Sequence, residues 1–140
     1  MSSNEKAVTA HHRDTGEEHR ATGSRYAELE FYYTKKHISH YIGPLSTVIE
    51  LGCGTGYYAM YFSAQCKTYV GVDLTPENIE LLNQKAAARG LKNVTGVVGD
   101  ATKLNDIPSA SFDVVLVSRA PLSPAAKRER AGLCRMSPHL

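Results

Sequence analysis

The segment Val48-Ile49-Glu50-Leu51-Gly52-Cys53-Gly54-Thr55-Gly56 constrains the fold more than any other part of the chain. An apolar run passes into three glycines, each separated by one residue, with the acid Glu50 just ahead of them. Apolar, β-favouring residues followed at once by residues that tolerate positive φ predict a buried strand turning sharply into a helix. Bare backbone then faces whatever sits in the turn. The spacing is G-x-G-x-G. The dinucleotide-binding fingerprint is G-x-G-x-x-G, and Tyr57 fills the place of its third glycine.

The rest of the chain continues the alternation of strand and helix. A helix is expected from about Ser24 to Tyr41, with Tyr26, Leu29 and Tyr33 on one face and Gly43-Pro44 as its stop. Thr47 to Leu51 is the first strand, followed after the turn by a helix from about Gly56 to Ala64. Tyr69 to Asp73 is the second strand. Thr75 then reads as a helix N-cap, Pro76 as the first helical residue, and Gly90 as the stop, with Ile79, Leu82 and Ala86 as the buried stripe. Asn93 to Gly99 and Phe112 to Val117 are the third and fourth strands. Val- and Ile-rich strands alternating with helices predict an α/β fold with a parallel sheet covered on both faces.

Two more strand ends carry chemistry suited to a ligand. Asp73-Leu74 closes the second strand and Gly99-Asp100-Ala101 the third. Together with the glycine turn, these resemble the motifs of the class I S-adenosylmethionine-dependent methyltransferases. The resemblance runs from Tyr26 to Val117 and implies a Rossmann-like, mostly parallel sheet of about four strands in the order 3-2-1-4. It further implies that Gly52, Cys53, Gly54 and Gly56 face the methionine part of S-adenosyl-L-methionine. Glu50 would sit near the amino group or order the turn. Asp73 would accept the ribose hydroxyls and Leu74 would flank the adenine. Asp100 would meet the adenine amine, the Ala101 N–H a ring nitrogen, and Ser118 the cofactor after the fourth strand.

The resemblance implies methyl transfer to an acceptor, expected to be a small molecule, and singles out no catalytic residue. Methyl transfer from a sulfonium needs alignment more than acid–base help, so the lack of an evident base is consistent with it. Plainer readings exist for the same residues. Asp73 can cap a helix and Asp100 can bond its own backbone. At the level of function, the alternatives are a noncatalytic S-adenosylmethionine-binding fragment and a nicotinamide-dependent oxidoreductase or epimerase.

Composition excludes other classes. No apolar run is long enough to span a bilayer, and Met1 to Arg20 lacks the apolar segment of a secretory signal. Cys53, Cys66 and Cys134 are odd in number and irregularly spaced, which fits reduced thiols in a cytoplasmic protein. His11, His12 and His19 lack a cysteine or carboxylate cluster at ligand spacing, so no metal is expected. Residues 1–22 read as a flexible polar arm and 23–117 as the cofactor-binding core. Residues 118–140 form a basic tail, with Arg119, Lys127, Arg128, Arg130 and Arg135 against Glu129. Neither nucleic acid nor membrane is indicated as a partner.

The resemblance breaks at that tail. Relatives continue after the fourth strand with a segment resembling LGPLYHLPP, a helix and further strands, whereas Ser118 onward reads SRAPLSPAAK. Ser118 to Lys127 can be encoded by TCT CGG GCC CCT CTA TCA CCT GCC GCC AAA. Starting one base later, the same bases read CTC GGG CCC CTC TAT CAC CTG CCG CCA, which translates as LGPLYHLPP. A truncation or one-base frameshift near Ser118 is therefore expected. The alternative is a native tail in which Ser123-Pro124 starts a short basic helix. Resequencing the locus distinguishes them. With the chain cut there, the fourth strand would be an exposed apolar edge.

Overall fold

Four short apolar runs assemble into one parallel sheet in a computed structural model that describes residues 25–118. The arm at 1–22 and the tail beyond Ser118 lie outside the described residues. In chain order the elements are α1 (Arg25–Ile38), β1 (Thr47–Leu51), α2 (Tyr57–Phe62), β2 (Thr68–Asp73), α3 (Pro76–Ala88), β3 (Val94–Val98) and β4 (Val114–Val117). The strand order is β3-β2-β1-β4, as the sequence leads one to expect. Register pairs Leu51 with Val72, Asp73 with Val98, and Leu51 with Val117. The carboxyl ends of the strands are thereby set side by side. Strand order reverses between β1 and β4, the position where doubly wound sheets bind ligands.

Alternation divides the side chains between two faces. Val48, Glu50, Tyr69, Gly71 and Gly96 point toward α2 and α3, while Ile49, Leu51, Val115 and Val117 point the other way. On the first face Val48, Phe62, Tyr69 and Leu82 are fully buried and form the centre of the core. Ile79, Leu82 and Ala86 are the buried stripe of α3, as read from their spacing. Leu82 explains how closely α3 lies on the sheet. A Cβ at Gly56, Gly71 or Gly96 would approach its side chain to 2.7, 3.0 and 3.0 Å.

Several boundaries differ from expectation, and side-chain hydrogen bonds add to the backbone ones at these places. The Ser39 hydroxyl donates to the Lys35 carbonyl at 2.8 Å, and α1 ends at Ile38 instead of near Tyr41. The Asp113 carboxylate accepts from Thr47 N–H at 2.8 Å and Thr47 Oγ1 at 3.0 Å, so β4 pairing begins at Val114. The Asn93 amide donates to the Ser63 carbonyl at 2.7 Å and pins the entry to β3.

The face of α1 that carries Tyr26, Leu29 and Tyr33 is not the one that docks on the core. Tyr26, Leu29 and Tyr33 are exposed, at 86%, 49% and 63%. The helix docks on α2 through Phe31 instead, whose ring lies 4.4 Å from Tyr57 and 5.3 Å from Tyr58. Lys35 stands over the Tyr61 and Tyr57 rings at 4.7 and 5.2 Å, and Ile38 packs against the core. Phenols keep a polar tip that water satisfies, whereas Phe31 has none, so the phenylalanine takes the inner position.

Candidate cofactor site

The glycine turn adopts the conformation its composition allows. Gly52, Gly54 and Gly56 have φ of 75°, 56° and 89°. The N–H groups of Gly52 and Cys53 both donate to the Val72 carbonyl, at 2.8 and 3.1 Å. These bonds tie the turn to the end of β2. Gly56 is constrained twice, by its φ and by the nearness of Leu82. The helix that follows, α2, begins at Tyr57 with no side-chain cap.

Asp73 holds this turn in place. Its Oδ2 accepts the Gly54 N–H at 2.9 Å, while Oδ1 accepts the Thr75 N–H at 2.8 Å and the Asn78 amide at 3.3 Å. The residue is 7% exposed. An ionised carboxylate has about four acceptor positions, so Oδ2 retains capacity for a further donor. Asp73 thus orders the turn ahead of α3 without capping the helix, whose N-cap is Thr75, and the ribose reading stays chemically open. Thr75 occupies the expected N-cap position, but its hydroxyl makes no capping bond. That buried hydroxyl has no hydrogen-bond partner among the described residues.

At the end of β3 the Gly99 N–H donates to the Asp73 carbonyl at 2.9 Å, which places Asp100 and Ala101 beside the β2 end. Asp100 Oδ1 accepts from Thr102 N–H at 2.8 Å and Thr102 Oγ1 at 2.7 Å. The bonds from Thr102 hold the Asp100 carboxyl below its ordinary range. Its other oxygen is turned away from these bonds. Leu74 and Ala101 are half-buried.

Glu50 lies deeper than a ligand-facing acid would. It is 1% exposed, and its Oε2 accepts the Tyr69 hydroxyl at 2.6 Å. The Ser118 hydroxyl donates to Oε1. Burial pushes the Glu50 carboxyl up to about 7, against the lowering effect of the Ser118 and Tyr69 bonds, and the Asp73 charge pushes it up further. Burial likewise pushes the Cys53 thiol up, with Glu50 and Asp73 adding to the effect. Cys53 is therefore a neutral, packed thiol and not a nucleophile.

The structure brings together Glu50, Gly52, Cys53, Gly54, Gly56 and Asp73, sets Leu74, Asp100 and Ala101 along the neighbouring strand ends, and joins Ser118 to Glu50. Sequence reasoning missed Tyr69, Asn78 and Thr75 as members of this network. The register places Tyr69 on the same sheet face as Glu50, which spacing within either strand does not reveal. Among the described residues no three His, Cys, Asp or Glu side chains are placed to hold a metal. Nor is any described helix long and apolar enough to cross a membrane.

A sequence profile described as a methyltransferase domain matches residues 48–140. The chain belongs to that family. Its fold is the Rossmann-like α/β fold of class I methyltransferases, and its cofactor is S-adenosyl-L-methionine. The turn fits that group: three left-handed glycines keep side chains out of the cradle, the buried Asp73 carboxylate is bonded to it, and the Thr75 hydroxyl next along the chain has no partner among the described residues. Among curated relatives, the uncharacterized methyltransferase YcgJ of Bacillus subtilis is 35% identical over 68 residues, covering 49% of this chain and 26% of YcgJ. The 2-heptyl-1-hydroxyquinolin-4(1H)-one methyltransferase of Mycobacteroides abscessus is 43% identical over 53 residues, covering 38% of this chain and 23% of the relative. The crystal structure of YcgJ superposes with a TM-score of 0.54 at 32% identity, over 56% of this chain and 33% of that one. The chain thus spans about a quarter to a third of the length of these relatives.

Proposed function

We propose that this chain binds S-adenosyl-L-methionine at the glycine turn and takes part in methyl transfer to a small-molecule acceptor. The observation that carries the reading is the clasp between Asp73 Oδ2 and the Gly54 N–H, which ties the acid of one strand end to the glycine turn of the next. The bound cofactor supplies an electrophilic methyl group on a sulfonium, so the protein's work is alignment. Gly52, Cys53, Gly54 and Gly56 offer close backbone approach to its methionine end. Asp73 receives the ribose hydroxyls through its remaining acceptor capacity, and Leu74 packs beside the adenine. The free oxygen of Asp100 and the N–H of Ala101 meet the adenine edge. Glu50, held off the surface, acts on the turn from behind, and Ser118 acts through Glu50.

A small-molecule acceptor is supported by the name of the quinolone methyltransferase among the relatives. A cytoplasmic setting is supported by the two free, buried thiols Cys53 and Cys66. Calorimetric titration with S-adenosylhomocysteine and, separately, NADH tests the cofactor. Binding of the first alone is expected, in line with Tyr57 standing where a third glycine would be; binding of NADH alone would overturn the reading. Transfer of labelled methyl from the cofactor to a panel of phenolic and heteroaromatic hydroxyl compounds tests the reaction. The alternative reading is a noncatalytic protein that only binds S-adenosylmethionine. It predicts binding without transfer.

A further inference from the structure

Glu50, Tyr69 and Ser118 belong to β1, β2 and the residue just after β4, and they meet on the sheet face that α2 and α3 cover. Tyr69 stands two register positions behind Glu50, opposite Val48, and its long side chain reaches along the strand to the carboxyl. Tyr69 is fully buried and Glu50 is 1% exposed, so this hydroxyl serves no surface purpose. A phenylalanine would fill the same core volume; the phenol's distinguishing property is the donor it gives to Glu50.

The titratable groups facing that carboxyl, among the described residues, are Asp73 at the end of β2, Cys53 in the turn, Tyr58 on α2 and Tyr69 itself. Burial raises Cys53, Tyr58 and Tyr69, which keeps all three neutral near pH 7. Asp73 is thus the anion beside Glu50, and its charge favours the protonated form of the glutamate. An arriving ligand with an ammonium group reverses that preference, because a nearby positive charge stabilises the carboxylate.

We propose that Tyr69 and Ser118 are positioning residues for the cofactor site, holding the Glu50 carboxyl behind the glycine turn so that it gives its proton to solvent and becomes the counter-charge when an ammonium-bearing ligand occupies the turn. The inference rests on the cofactor reading above, since the methionine end of S-adenosylhomocysteine carries such a group. Only the Glu50 O–H bond breaks, and the proton passes to buffer. Burial places the titration of the free protein at about 7, where the exchange can be read directly.

The test is calorimetric titration of the full chain with S-adenosylhomocysteine at pH 7 in two buffers of different ionisation enthalpy, repeated from about pH 6 to 8. Wild type is expected to release on the order of half a proton per ligand and to bind more tightly as pH rises. Tyr69→Phe removes a donor that favours the carboxylate, so its affinity curve should move to higher pH, with roughly a 3- to 10-fold loss at pH 7. Ser118→Ala should move the curve the same way, and Glu50→Gln should flatten it and abolish proton release. A purely structural role for Tyr69 would weaken binding equally at every pH. Wild-type binding without proton release, or an unshifted curve in Tyr69→Phe, overturns the proposal and leaves the cofactor reading intact. Absence of wild-type binding at every pH overturns both. If Tyr69→Phe fails to fold, the Ser118→Ala and Glu50→Gln curves decide by the same criteria.

Discussion

The two faces of the sheet are made from the same strands yet differ in how they are finished. Toward α2 and α3, Val48 and Tyr69 are fully buried and Glu50 nearly so. On the other face Val97, Val115 and Val117 are 45%, 48% and 63% exposed. There the connection from β3 to β4 crosses beneath the sheet, and Leu104, Ile107 and Phe112 line a cavity of about 200 Å³ against Ile49, Leu51 and Val115. Every polar group that organises the cofactor turn lies on the helix-covered face or at the strand ends. Burial is what raises the Glu50 carboxyl, the Cys53 thiol and the Tyr69 phenol, so the finished face is also the chemical one.

Substitutions at glycine should give the largest contrast. Gly56→Ala combines a φ of 89° with a Cβ approaching Leu82 Cγ to 2.7 Å. It is expected to cost on the order of 3 to 5 kcal/mol in thermal or urea unfolding and to abolish S-adenosylhomocysteine binding. Gly90→Ala shares a positive φ of 66° but meets nothing within 4 Å. Its cost should be about 1 kcal/mol, with binding retained. Equal losses in the two variants would show that backbone conformation alone, and not contact with α3, sets the requirement at Gly56.

Leu82→Ala is next, with an expected loss of about 2 to 5 kcal/mol because the residue is fully buried over Gly56, Gly71 and Gly96. Val117→Thr, on the other face, should stay within about 0.5 kcal/mol in the same unfolding experiment. A large loss there would erase the distinction between the faces.

The Glu50 carboxyl provides the pH-dependent contrast. Its folded value of about 7 lies above the ordinary 4.5, so the folded state holds a proton that the unfolded state has already lost. Stability should therefore fall as pH rises from about 4.5 to 7, by at most about 3 kcal/mol, and level off above that. Glu50→Gln should remove this slope in urea midpoints measured across the window. A slope surviving in the variant would assign the effect to other groups.

Asp73→Asn tests the strand-end clasp itself. The amide keeps Oδ1 as an acceptor but offers N–H groups where Gly54 N–H needs a lone pair, or the reverse after a flip. A loss of about 1 to 3 kcal/mol in unfolding is expected. Cofactor affinity should fall by more than the affinity lost in Tyr69→Phe.

Much of this fold was legible because its signals are local. Three glycines at fixed spacing, the Thr75-Pro76 start and the Ile79, Leu82 and Ala86 stripe each depend on residues within one or two turns of one another. The strand order and the convergence of three strand ends followed from the family resemblance. Which face of α1 docks was not legible, because hydropathy alone does not decide between Tyr33 and Phe31, and the choice is made by rings on α2 far along the chain. The Tyr69–Glu50 bond was missed for a related reason: it depends on the register between β1 and β2, which spacing within either strand does not specify. Asp73 was recognised as part of the site, but its bonds to Gly54 and Asn78 required the fold.

The Thr47–Asp113 clasp joins residues 66 positions apart, whereas β1, β2 and β3 are linked by successive short crossovers. Closing the longer loop carries the larger entropy cost before any contact rewards it. β4 should then be the last strand to dock and the first to open, with backbone amides at Val115 to Val117 exchanging with deuterium sooner than those of β2. Each such opening carries Ser118 away from Glu50, so the rate of a motion at the edge of the sheet sets how often the acid behind the turn loses one of its two donors.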